Sequence, residues 1–219
     1  MSASVQIRLK QRPVGLPQDD VWEKTEDATR EPEDGEIAVE VEYLSVDPAM
    51  RGWMNDARSY TSPVGIGEVM RAVGVGTVTA TKSDQFAVGD AVLGLTGVQT
   101  HYTGTAEGFM KVMPEFAPLP KFLGGLGMPG MTAYFGLLDV GQPKEGETVL
   151  VSAAGGAVGS VVGQIAKIKG CRVVGIAGGK EKCDFVVENY GFDECIDYKS
   201  ADLNKASSNS ISLQMNQRK

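Results

Sequence analysis

The sequence predicts an α/β protein: a small β-barrel followed by the first half of a doubly wound parallel sheet. Three observations predict it. Short alternating strands with frequent turns run from Glu36 to about Met113. A buried strand then leads straight into a glycine-rich turn and an amphipathic helix, over Glu147 to Ile168. A second helix and two further short strands follow, ending at Tyr198.

The central stretch is Glu147-Thr-Val-Leu-Val-Ser-Ala-Ala-Gly-Gly-Ala-Val-Gly-Ser160. Val149, Leu150 and Val151 form an apolar run of the kind a parallel strand makes when both its faces are covered. The spacing Ala154-x-Gly156-x-x-Gly159 is a dinucleotide fingerprint with alanine at its first glycine. Gly156 lets a pyrophosphate approach the backbone and Gly159 lets the helix pack closely, while the helix N-terminus attracts phosphate. Val158, Val161, Val162, Ile165 and Ile168 recur at offsets of three and four, giving that helix an apolar stripe. Thr148 to Ala166 carries no charge and is long enough to span a bilayer, but Gly155-Gly156 and the strand-like opening argue against one continuous helix.

Before this point the chain reads as β structure. Residues 1–35 are mostly polar with Pro13, Pro17 and Pro32, which predicts one early strand and an irregular wrap. Ile37, Val39, Val41 and Tyr43 alternate and should share one face of an antiparallel strand. Asp47-Pro48 ends it, and a loop runs to Gly67; Ala72 to Ala80 is the next strand, with Gly74 and Gly76 marking a bend or close approach. Phe122 to Leu138 reads as a glycine-punctuated helix. After the fingerprint come a strand at Cys171–Ala177, a helix from Lys182 closed by Gly191, and a strand at Cys195–Tyr198.

Composition bounds the function. At 219 residues and 42% hydrophobic content there is ample material for a core, and the net charge of −7 gives no footprint for nucleic acid or an anionic membrane. The opening residues lack the apolar core of a signal peptide, and three unclustered cysteines make no disulfide framework, so a cytoplasmic setting is expected. The single histidine, His101, and Cys171, Cys183 and Cys195 read as ordinary packing residues, so no metal is expected. There is no G-x-S-x-G elbow for a serine hydrolase.

The end of the second strand selects the cofactor. An NAD site wants an acid about 20 residues past the glycines. Here Ala177-Gly178-Gly179-Lys180-Glu181-Lys182 offers no carboxylate at the strand end and two lysines nearby, which favours the 2′-phosphate of NADP.

At this level the sequence resembles the zinc-independent branch of the medium-chain dehydrogenase/reductase superfamily, specifically its NADPH-dependent 2-alkene reductases. The segments that carry the resemblance are Leu44-Ser-Val-Asp-Pro-Ala-Met-Arg-Gly52, Gly127-Met-Pro-Gly-Met-Thr-Ala-Tyr-Phe-Gly-Leu-Leu-Asp139, Gly141 to Glu147, the fingerprint, Gly170 to Cys183 and Gly191-Phe-Asp193. The resemblance implies a GroES-like catalytic barrel over 1–120, the first half of an NADP-binding Rossmann domain over 121–206 and a divergent polar tail over 207–219. It implies hydride transfer to the β-carbon of an α,β-unsaturated aldehyde or ketone, a small-molecule substrate. Gly156, Ala157, Val158 and Gly159 match the pyrophosphate loop, Lys182 the 2′-phosphate lysine, Tyr198 the adenosine side, and Met128 and Thr132 the nicotinamide end. Tyr60 falls on the loop that borders the substrate; no proton donor is assigned.

Two departures stand out. Position 49 is alanine where relatives carry a substrate-bordering tyrosine, which removes a stacking surface and weighs against aromatic substrates. After Ala206 the similarity stops, so the strands of the second Rossmann half are expected to be missing. The first strand would then be a long apolar edge, open to pairing with another chain. Homodimerisation, implied by relatives, carries over poorly to a chain of this extent. The readings left open are an enone or enal reductase, a non-catalytic NADP-binding or interaction module, and a quinone reductase.

Overall fold

A computed structural model describes residues 3–200, and the chain divides into two compact units, 1–123 and 124–219. The polar tail expected over 207–219 lies outside the described residues.

In the first unit, alternation at Glu36–Leu44 produces β3, an interior strand of an antiparallel sheet. The sheet also contains β4 (Gly74–Thr81), β5 (Ala91–Gly94), β6 (His101–Thr105) and β7 (Met110–Lys111), in the order β6-β3-β4-β5-β7. Ile37 and Val39 are fully buried with Val78, Phe86, Val92 and Phe109. Tyr43 is 47% exposed and leaves that face, because the register slips between Val41 and Tyr43 and a bulge turns the strand. Gly76 sits opposite Val41, where any Cβ would strike the carbonyl of Glu40.

The expected irregular wrap is largely a hairpin. β1 (Ala3–Leu9) pairs along its whole length with β2 (Trp22–Ala28). The sequence Trp-Glu-Lys-Thr-Glu-Asp-Ala reads as polar because only Trp22 and Thr25 are half-buried, as suits an edge strand shielded by charges. The amides of Ile7 and Thr100 bond to the carbonyls of Val98 and Val5 and tie the hairpin to the segment before β6. Leu9, Val21, Met54, Val64 and Met70 fill the space beneath. A short helix, α1 (Ala49–Trp53), opens the long loop, and α2 (Pro120–Leu123) closes the unit.

The second unit starts with α3 (Met128–Phe135), which runs into one π-helical segment at Gly136–Gly141. Then come β8 (Thr148–Val151), α4 (Ala157–Ile168), β9 (Arg172–Ala177), α5 (Lys180–Tyr190) and β10 (Glu194–Asp197). The three strands are parallel in the order β10-β9-β8, the arrangement of one mononucleotide-binding half. Gly191 ends α5 with φ +71, the left-handed cap that glycine adopts without penalty.

The buried face of α4 is not the valine stripe. Gly159, Ser160, Gly163 and Ala166 are its buried residues, while Val158 is 37% and Ile168 83% exposed. Small residues let the helix axis come close to the strands, and the ring of Phe192 occupies the space where a side chain at Gly163 would stand. Val162 and Ile165 flank the contact. Strand β8 is an edge among the described residues but a short one of four residues, with Leu150 at its exposed position.

Candidate functional site

The turn after β8 is shaped by one backbone oxygen. Ala153 adopts φ +49, a left-handed conformation unusual for a residue with a Cβ. Its carbonyl accepts the amide of Gly156 at 2.8 Å and lies directly against the Cα of Gly159, where a Cβ would collide with it. Gly156 then stands at the N-cap of α4 in extended conformation. Because its amide is already used, Gly156 contributes clearance rather than a donor. In an α-helix the first-turn amides, here those of Ala157, Val158 and Gly159, lack an intrahelical acceptor, so they are the donors an anion could use.

At the same carboxyl edge of the half-sheet, the neighbouring strand β9 leads through Gly178 and Gly179 into α5. Tyr198, 51% exposed, lays its phenol against Gly178, in the space a Cβ would fill. Asp197 holds the turn: its carboxylate accepts the amides of Gly179 at 2.7 Å and Lys199 at 3.0 Å. Those two bonds hold Asp197 below the usual carboxylate range. Sequence reading missed this residue, whose only signal was a carboxylate placed just after the third strand.

The two lysines differ. Lys180 pairs with Asp184 one helical turn on, at 2.6 Å, and that bond raises its pKa. Lys182 is exposed and has no ion-pair partner among the described residues. An ammonium in that state suits a phosphate better than one already neutralised.

Met128, 78% exposed, begins α3, and the hydroxyl of Thr132 donates to its carbonyl at 2.8 Å. The Thr132 oxygen is left as an acceptor. Helix α3 packs against α4, so both residues belong to the same unit as the fingerprint.

Tyr60 lies in the first unit and is 80% exposed. Its phenol oxygen accepts the indole Nε1 of Trp53 at 2.8 Å. The guanidinium of Arg71 stands 5.4 Å from the Trp53 ring centre and donates to Thr61 and Ser62, a cation–π arrangement that fixes the loop. Trp53 follows Ala49 by four residues on α1, so the two share one side of that helix. Trp53 was not singled out in the sequence, because its bond to Tyr60 and its contact with Arg71 leave no local pattern.

No three His, Cys, Asp or Glu side chains converge on a metal-sized space among the described residues. No described helix is long and apolar enough to cross a membrane.

Residues 5–112 match the family model of the N-terminal domain of oxidoreductases, and residues 157–212 match that of zinc-binding dehydrogenases. The chain is 46% identical over 195 residues to NADPH-dependent curcumin reductase of Escherichia coli, covering 89% of this chain and 56% of the relative. It belongs to the medium-chain dehydrogenase/reductase superfamily. Within that superfamily it is also 45% identical over 166 residues to the NADP-dependent 2-alkenal reductase of Nicotiana tabacum, covering 75% and 48%. The crystal structure of CurA from Vibrio vulnificus in complex with NADPH superposes with a TM-score of 0.87 at 49% identity, covering 94% of this chain and 61% of that one. The chain thus spans less than two thirds of the length of these superfamily members.

Proposed function

We propose that this chain carries the substrate barrel and the adenosine-binding half of an NADPH-dependent reductase acting on the C=C bond of α,β-unsaturated aldehydes and ketones. The observation that carries the reading is the exposed ammonium of Lys182 beside a strand end at which the carboxylate of Asp197 is already held by backbone amides. In this reading Ala157, Val158 and Gly159 hold the pyrophosphate through their amides, with Gly156 giving it room. Lys182 binds the 2′-phosphate and Tyr198 flanks the adenosine. Met128 and Thr132 border the nicotinamide end, Thr132 through its free acceptor oxygen.

Bound there, NADPH supplies a hydride for the β-carbon of the acceptor. The first unit, over about 1–120, is read as the catalytic domain. An indole N–H can only donate, so Trp53 fixes Tyr60 as the acceptor of their bond and leaves the phenolic hydrogen available for a carbonyl oxygen. A hydrogen bond there draws electron density from the β-carbon and orients the acceptor. The substrate is a small molecule met in the cytoplasm, and the acidic chain, at −7, suits neither nucleic acid nor an anionic bilayer.

Calorimetric titration with NADPH, NADH and 2′,5′-ADP tests the cofactor assignment. Binding of NADPH and 2′,5′-ADP at least tenfold tighter than of NADH is expected, and equal affinity for NADH would sink it. Turnover of a 2-alkenal, with a quinone as the comparison acceptor, tests the reaction.

A further inference from the structure

Cys183 and Cys195 are 12 positions apart in the sequence, one on α5 and the other on β10. The fold brings their sulfurs to 2.8 Å. Ordinary non-bonded contact between carbon atoms is about 3.5–4.0 Å, and sulfur is larger, so the two thiols are pressed together. A disulfide needs about 2.05 Å, a closure that small side-chain rotations can supply. The surroundings are built around the pair: glycine at position 175 on the adjacent strand leaves space over which the Cys195 sulfur lies. Val186 on the same helix and Ile196 on the same strand are buried and hold the two elements in place.

We propose that Cys183 and Cys195 form a two-electron thiol–disulfide site that a small peroxide closes, bridging α5 to β10. One sulfur, as thiolate, attacks a peroxide oxygen and breaks the O–O bond, leaving a sulfenic acid and a hydroxide that takes up a proton. The second sulfur displaces the sulfenic hydroxyl as the S–S bond forms, and a second water leaves. Two thiols and one hydrogen peroxide become one disulfide and two waters. The sulfurs are oxidised by two electrons and the peroxide is reduced.

Both thiols are free in the resting chain. Burial, and then the neighbouring Cys183, push the Cys195 thiol up to about 12, so it rests protonated at neutral pH. Cys171 is the built-in comparison: it is buried, as Cys183 is, but its thiol donates to the carbonyl of Lys144 and pairs with no other cysteine among the described residues. The bridge would join the helix turn that carries Lys182 to the strand that leads to Tyr198. Its formation, however, does not depend on the cofactor reading.

The experiment treats the whole chain with hydrogen peroxide, blocks remaining thiols with iodoacetamide and maps the peptides by mass spectrometry. The same treatment in guanidinium gives the pairing of the unfolded chain. The expected result is a linked Cys183–Cys195 peptide as the dominant native product, with Cys171 alkylated and dithiothreitol restoring all three thiols. C171S should keep the link, and C183S or C195S should abolish it. A native product matching the mixed pairings in guanidinium, or separate oxidation of the two sulfurs to sulfinic acids without a link, would overturn the proposal.

Discussion

The ammonium of Lys180 lies 2.6 Å from the carboxylate of Asp184, one turn along the same helix, so its charge is answered within its own element. Lys182, two residues on, has no such partner among the described residues. Removing the two lysines should therefore have unequal effects. A hydrogen bond to a charged group contributes about 1.5–3 kcal/mol, so K182A should weaken 2′,5′-ADP roughly ten- to hundredfold. K180A should change it by less than about threefold, since exposed pairs contribute about 0–1 kcal/mol. Titration calorimetry of both variants decides the point, and an equal loss in the two would remove Lys182 from its assigned role.

The glycines around the turn make a second contrast. A Cβ at Gly159 collides with the main-chain carbonyl of Ala153, whereas one at Gly155 meets only the Val186 side chain at an ordinary 3.7 Å. G159A should destabilise the chain by about 1–3 kcal/mol through forced overpacking. G155A should lie within about 0.5 kcal/mol of the parent. Urea unfolding of the two variants measures the difference, and a destabilised G155A with a neutral G159A would contradict the geometry.

Asp197 sets an acid limit on the same site. Its folded pKa is depressed by the amides of Lys199 and Gly179, so the stabilisation it gives is present above the unfolded value of 3.8. That stabilisation is lost as pH falls through the lower folded value. Affinity for 2′,5′-ADP in D197N at pH 7 should thus be lower than in the parent, with the Gly179 amide less firmly held. Amide exchange at Gly179 should quicken in D197N and stay slow in the parent down to below pH 4. No change in exchange would mean the carboxylate does not hold the turn.

Trp53 and Tyr60 can be separated by conservative changes. Y60F keeps the ring but removes the oxygen that accepts the indole N–H and the hydrogen left for a carbonyl. Under the reductase reading, kcat/KM for a 2-alkenal should fall about tenfold with NADPH affinity unchanged, since none of the residues assigned to the cofactor is altered. W53F should produce a smaller loss, because the phenol persists but is no longer oriented. Equal activity in Y60F and the parent would leave Tyr60 as a bystander on the loop.

The architecture was legible where periodicity carried it. The two-residue alternation at Glu36–Leu44, the strand–turn–helix junction at Thr148–Ile168 and the Gly191 cap each left a local pattern. Strand β2 left none, because an edge strand with charges on both faces has the composition of a loop. The buried side of α4 was misread for a different reason: hydrophobic periodicity weights valines, while close packing here selects glycine and alanine. At the site, the fingerprint and the lysines were visible. Which lysine was already paired, the anchoring by Asp197, the indole at Trp53 and the meeting of Cys183 with Cys195 all depend on tertiary neighbours.

The carbonyl of Ala153 fixes its surroundings in a way that no mutation at position 153 can undo while the backbone keeps its path. A main-chain oxygen is present whatever residue stands there, and it crowds Gly159 and comes 3.1 Å from where a Cβ on Gly156 would sit. The requirement for a residue without a Cβ at Gly159, and the tight space at Gly156, are therefore inherited from the path of the backbone rather than from any one side chain. Any sequence that drifts while keeping this turn must carry the vacancy at position 159 with it, whether or not it still binds a nucleotide.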